Sequence, residues 1–168
     1  MATPRSHSAS ISIPGGILVT GGFDGSKVLN TSEMVFLNGI VKEAKPLPEP
    51  KWGHCLVEHK GQIISTGGSD GNGRMTSTVW LFNNREVFAL TIGPKIRYPR
   101  FNHGCAIFNS DGHDGRPELV VAGSGSDDDG RRQTEVWDFT LPGSQWQNFS
   151  KSDFLDLHRS VMEGYRIV

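Results

Sequence analysis

The chain writes nearly the same phrase twice, "ILVTGGFDG" at 17–25 and "IISTGGSDG" at 63–71. Each is an apolar run of strand-forming residues, then a glycine pair, then one residue, then Asp-Gly. A dinucleotide-binding loop would need G-x-G-x-x-G between a strand and a helix, with the phosphate held at the helix N-terminus. Here "FDGSKVLNTSEMVFL" follows Gly22 and "SDGNGRMTSTVWLF" follows Gly68. Both run from turn residues into another β-rich segment, and neither holds G-K-[ST]. A phosphate site therefore gives way to a repeated structural unit.

The repeat extends on both sides of the glycines. Gly21 and Gly67 lie 46 positions apart. Upstream stand "RSHSASISI" at 5–13, "KWGHCLVEH" at 51–59 and "RFNHGCAIF" at 100–108, each with a basic residue, a histidine and a strand-like run. Read this way, His7, His54 and His103 recur in phase. Downstream stand "TSEMVFL" at 31–37, "TSTVWLF" at 76–82 and "QTEVWDF" at 133–139. This alignment makes Trp80 and Trp137 equivalent. In the third unit "LVVAGSGSDDDG" follows an insertion at 109–118, and Ala122–Gly123 takes the place of the glycine pair. Each unit carries four short β signals; in the second they fall at 54–59, 62–67, 76–82 and 85–90. These runs are rich in Val, Ile, Thr, Phe and Trp, with Gly, Asp, Asn and Pro between them.

Three units of four strands with a period near ~50 resemble the kelch repeat family. The matching features are the basic-then-His start, the double glycine closing the second strand, Asp-Gly after it, and a third strand reading "MVF" (34–36), "VWLF" (79–82) or "VWDF" (136–139). The resemblance covers about residues 5–149. The fourth-strand tryptophan usual in that family occurs only as Trp146. It implies an all-β fold: a partial kelch-type β-propeller of about three four-stranded antiparallel blades. The repeats run about 5–48, 51–94 and 100–149 within one region, 1–168, followed by a tail, 150–168. "DFLDLHRS" in that tail has helical spacing, predicting a short turn around Phe154–Ser160. Gly21, Gly22, Gly67, Gly68 and Gly123 are read as structural, because a Cβ would clash where backbones approach closely. Trp80, Trp137 and Trp146 are read as packing between blades.

Composition narrows function more than it assigns it. Glycine makes up 21 of 168 residues, well above the usual ~7%. The formal charge of −1 gives no electrostatic basis for nucleic acid or an anionic membrane. No apolar stretch reaches the ~20 residues of a membrane helix, and the N-terminus lacks the apolar core of a signal peptide. Cys55 and Cys105 are too few for a disulfide framework, so both are read as small buried apolar residues in a reduced, cytoplasmic setting.

No catalytic motif such as G-x-S-x-G, H-E-x-x-H or C-x-x-C occurs. Some kelch enzymes bind iron through an E-x-x-x-D-x-x-x-H run, absent here. Kelch copper oxidases use tyrosines and histidines, and neither Tyr98 nor Tyr165 sits in a matching context. One histidine per unit, with no closely spaced second ligand, does not make a metal site. A calcium loop built on Asp129-Gly130 puts Gly125 and Val136 where ligands belong. One on Asp114-Gly115 loses two to Ser110 and Gly112. No cofactor and no metal are therefore expected.

The expected function is non-enzymatic protein interaction. The resemblance implies substrate-adaptor or cytoskeleton-associated roles, with an unidentified protein partner. The binding candidates are the loops between second and third strands: Asp24 and Lys27; Asp70, Asn72 and Arg74; Asp127, Asp128, Asp129, Arg131 and Arg132. The competing expectation is a fragment of a kelch-type enzyme, such as a galactose-oxidase-like protein, whose catalytic blades are absent. Because closed propellers hold about four to eight blades, three leave apolar faces bare, and self-association is also expected.

Overall fold

The computed structural model describes residues 1–83, 91–109, 116–124 and 133–149. These form three four-stranded antiparallel sheets, with no helix among the described residues. The first holds β1 (Ala9–Ile13), β2 (Gly16–Thr20), β3 (Ser32–Phe36) and β4 (Val41–Ala44). The second holds β5 (Cys55–His59), β6 (Gln62–Thr66), β7 (Val79–Asn83) and β8 (Thr91–Ile92). The third holds β9 (Gly104–Asn109), β10 (Pro117–Ala122), β11 (Glu135–Trp137) and β12 (Gln147–Asn148). Within each sheet the strands pair in chain order. β1 packs beside β5 and β5 beside β9, so the first strands run together along the propeller axis. The fold is a partial β-propeller of three blades. The fourth-strand signal at 85–90 and the helical turn expected at 154–160 lie outside the described residues.

Strand alternation gives each blade two faces. Ala9, Ile11, Ile13 and Leu18 of the first blade pack on Leu56, Ile63 and Phe82 of the second. Val57, Ile64, Val79 and Leu81 on the opposite face of the second blade meet Leu119, Val121, Trp137 and Trp146 of the third. The two tryptophans lie 5.6 Å apart. Trp146 Nε1 donates to the Pro94 carbonyl and Trp137 Nε1 to Ser144 Oγ, so both indoles are buried with their polar handles satisfied.

The register corrects three details of the sequence reading. Gly21 and Gly67 have φ of 59° and 60°, and Gly22 and Gly68 of 97° and 99°. In the third blade the two left-handed residues are Gly123 (87°) and Ser124 (57°). The glycine pair is thus replaced by Gly123–Ser124, not by Ala122–Gly123. Ala122 takes the place of Thr20 and Thr66, since it pairs with Gly104 as they pair with Ala9 and Cys55. The same pairing sets His54 and His103 level with Ser8. His7 instead shares its position with Gly53 and Asn102, and all three have positive φ, 52°, 61° and 48°. Their backbones form a chain across the blades: Gly53 N–H donates to the His7 carbonyl and Asn102 N–H to that of Gly53.

Trp80 and Trp137 are not equivalent either. Trp80 faces Ser65, as Glu33 faces Val19 and Glu135 faces Val121. Phe82, facing Ile63, is the counterpart of Trp137, which faces Leu119.

The cysteines overturn a further expectation. Cys55 and Cys105 form a disulfide, with Cα atoms 6.0 Å apart. Cys55 lies on the face of the second blade turned to the third, and Cys105 on the opposing face, so the bond staples two neighbouring blades. Sequence spacing concealed this because the two strand positions differ by one residue in register. The argument for a reducing compartment from cysteine usage goes with it.

Candidate functional site

Each joint between blades is built from the same parts. Gly22 N–H donates to the Lys51 carbonyl of the next blade at 2.8 Å, and Gly68 N–H to the Arg100 carbonyl at 2.8 Å. A Cβ on Gly67 would lie 2.6 Å from that carbonyl oxygen and 2.7 Å from His103 Cε1. Glycine is therefore required by both space and φ. Beside each contact a threonine hydroxyl meets a histidine: Thr20 Oγ1 with His54 Nε2 at 2.7 Å, and Thr66 Oγ1 with His103 Nε2 at 2.9 Å. Burial, with the nearby Lys51 and His103 charges, depresses the His54 pKa to about 3. Burial, with Arg100 and Lys51, depresses that of His103 to about 4. Both imidazoles are neutral joint residues, and Nδ1 of each is buried without a partner among the described residues.

The basic residue that opens each unit also acts inside the fold. Arg5 pairs with Glu33 at 2.7 Å and Arg100 with Glu135, all four side chains buried. Burial raises the Glu33 pKa, but hydrogen bonds from Arg5 and from the Thr3 and Ala2 amides outweigh it and hold it at about 2. In the second blade Lys51 stands for the arginine and Trp80 for the glutamate, with Nζ 6.0 Å from the ring centroid. Burial lowers the Lys51 pKa, opposed by Glu49 at 3.3 Å.

The first two of the loops expected to bind, at 24–27 and 70–74, lie at one end of their sheets. Phe23 and Ser6 exchange backbone hydrogen bonds, as do Ser69 and Trp52, which anchors each loop to the start of its blade. Beyond these anchors, Asp24 Oδ1 accepts from the Ser26 and Lys27 amides, and Asp70 Oδ1 from the Asn72 and Arg74 amides. Those amide hydrogen bonds lower both carboxyl pKa values, led by the Lys27 amide at Asp24 and the Arg74 amide at Asp70. The aspartates are thus turn caps. Lys27, Asn72 and Arg74 are exposed. Asp127, Asp128, Asp129, Arg131 and Arg132 lie outside the described residues.

The same end carries an aromatic row that motif reading passed over. His7 meets Trp52 edge-on at 5.1 Å between centroids, and Trp52 lies 5.9 Å from Phe101. One member comes from each blade. His7 is exposed and the other two half-buried. The signal was present as an aromatic directly after the basic residue in "KW" and "RF". A recess of about 540 Å³ opens between the first two blades and is lined by Leu18, Met34, Leu47, Leu56, Ile63 and Phe82 among others. Among the described residues no group of three or more His, Cys, Asp or Glu could hold a metal ion. No helix there is long and apolar enough to cross a membrane.

No family model matches the chain. Spermatocyte protein spe-26 of Caenorhabditis elegans is 32% identical over 80 residues, which are 47% of this chain and 14% of that protein. The solved structure of YjhT matches with a TM-score of 0.68 at 17% identity, over 88% of this chain and 52% of that one. The chain thus spans only part of each, and the second likeness establishes the fold.

Proposed function

We propose that the chain is a non-enzymatic, kelch-type protein-interaction module that reads an extended peptide on the loop-bearing end of its blades. The aromatic row His7–Trp52–Phe101 carries this reading. It offers half-exposed ring faces across all three blades, and aromatic side chains supply much of the contact energy in protein recognition. Exposed Lys27 and Arg74 stand on the loops anchored beside it, while the aspartates of those loops are tied into their own turns. This combination favours a peptide with an aromatic or aliphatic anchor and acidic neighbours. The buried, neutral state of His54 and His103, each engaged by threonine, supports structural over catalytic use.

The test is selection of displayed peptides on the immobilised chain. Enriched peptides should be acidic with an aromatic or aliphatic anchor. Trp52→Ala or Arg74→Glu should weaken them at least about tenfold, the loss of one good anchor, while Leu37→Ser on the outer rim (90% exposed) should not. Peptides that bind all three variants equally would overturn the proposal.

A further inference from the structure

We infer that the recess between the first two blades is a binding site for a free small molecule of the indole class, a flat aromatic ring with one N–H donor. The joint between the second and third blades supplies the template. There Trp137 and Trp146 lie 5.6 Å apart, packed with Ile64, Val79, Leu81 and Ile96. The register gives these walls counterparts in the first joint: Leu18 for Ile64 and Met34 for Leu81. Leu47 stands for Ile96, since its N–H donates to the Asn30 carbonyl as that of Ile96 donates to the Ser77 carbonyl. The walls are kept apolar, but the filling differs. Phe82 takes the place of Trp137, and the second unit's run "REVFAL" at 85–90 holds no tryptophan to match Trp146. The recess of about 540 Å³ lies against those kept walls, within the roughly 300–1,000 Å³ of ligand pockets. Pro46, Leu47 and Pro48 line a third side between the two sheets, the concave setting of a small-molecule cleft.

One wall position is changed, and the change is toward hydrogen bonding. Ser32 stands for Val79, because it faces Thr20 as Val79 faces Thr66. In the second joint that position adjoins the indoles: a Cβ added to Gly93 would lie 2.8 Å from Val79 Cγ1 and 3.4 Å from Trp137 Cη2. Ser32 is 3% exposed and lines the recess, and its hydroxyl has no hydrogen-bond partner among the described residues. A hydroxyl buried in that state opposes folding, and the valine of the next joint shows that packing alone does not require it. A ring N–H held in the recess would donate to Ser32 Oγ, while the ring faces meet Leu18, Leu56 and Ile63.

Titration calorimetry of the full chain with indole should show one site with Kd at or below about 1 mM. N-methylindole, which lacks the N–H, should bind about fivefold more weakly. Ser32→Ala should weaken indole by about the same factor and leave N-methylindole unchanged, a difference that a merely structural serine would not produce. Phe82→Trp, which puts the ring of the second joint into the first, should abolish binding and keep the far-UV circular dichroism spectrum. Leu37→Ser on the outer rim should change neither. N-acetyltryptophanamide, the same ring carried on a peptide backbone, should bind more weakly than indole. No saturable binding of indole to the folded chain would overturn the inference. So would equal losses for both rings on Ser32→Ala, binding indifferent to Phe82→Trp in a folded variant, or N-acetyltryptophanamide binding more tightly than indole.

Discussion

At Gly67 a single hydrogen atom decides whether two blades can meet. An alanine there would hold φ near 60° at a strain of about 1–3 kcal/mol and press its methyl on Arg100 O and His103 Cε1. Gly67→Val should therefore destabilise the chain by more than about 3 kcal/mol. Gly71→Ala should be nearly silent, because space is open there and φ is not left-handed. Equal melting shifts for the two would refute these roles. His54 and His103 give a second expectation. Unfolded, they take up protons near pH 6.5; folded, they resist to about 3 and 4. Stability is then fully present above pH 6.5 and falls as pH drops toward 4, by at most about 1.4 kcal/mol per pH unit for each histidine. Glu33 acts in the same direction, but only below its ordinary value of 4.5. Melting temperatures measured from pH 7.5 to 4 should show the decline. His54→Gln, which keeps a hydrogen-bonding group for Thr20, should make it shallower, leaving the share due to His103. The glycines were legible because they are punctuation. The histidines misled at one position, since shared residue type aligned His7 with His54 although the shared left-handed backbone aligns it with Gly53.

Strands are where the sequence spoke most clearly, and where it slipped by a count of two. Alternating apolar runs marked the first two strands of the second blade, read at 54–59 and 62–67, to within a residue. In the third strand, aligning Trp80 with Trp137 displaced the second blade by two positions. A two-residue slip keeps every side chain on its proper face, so the hydrophobic pattern could not reveal it. What reveals it is the buried ion pair of the outer blades, with Lys51 and Trp80 in the same places. Those pairs have a measurable consequence. Glu135→Gln would leave the buried Arg100 charge uncompensated and should cost about 3–5 kcal/mol; a loss below about 1 kcal/mol in urea titration would contradict the pairing. The disulfide acts between elements rather than within one. Closing a loop of 50 residues, it should contribute about 4 kcal/mol by restricting the unfolded chain. Double replacement of Cys55 and Cys105 by alanine, followed by thermal melting, tests this.

Over the whole molecule, position in the row of blades ranks stability. The second blade has neighbours on both faces, and Ile63, Ile64, Ser65 and Thr66 of β6 are exposed by 2% or less. Amide exchange should be slowest in β6 and faster in β2; the reverse order would contradict the packing. The partial propeller was readable from the recurrence of one unit. The aromatic row was harder to read, because its members come from different blades and from two different positions in the repeat. The staple between blades also determines how the chain would answer a pull on its two ends. Tension reaching the outer blades would be carried past the second by the sulfur bridge, sparing the 50-residue loop between the cysteines. At about 3.3–3.6 Å per residue, roughly 170 Å of contour stays hidden until the bridge is reduced. The oxidised chain is a short tether, and a reductant alone would lengthen it.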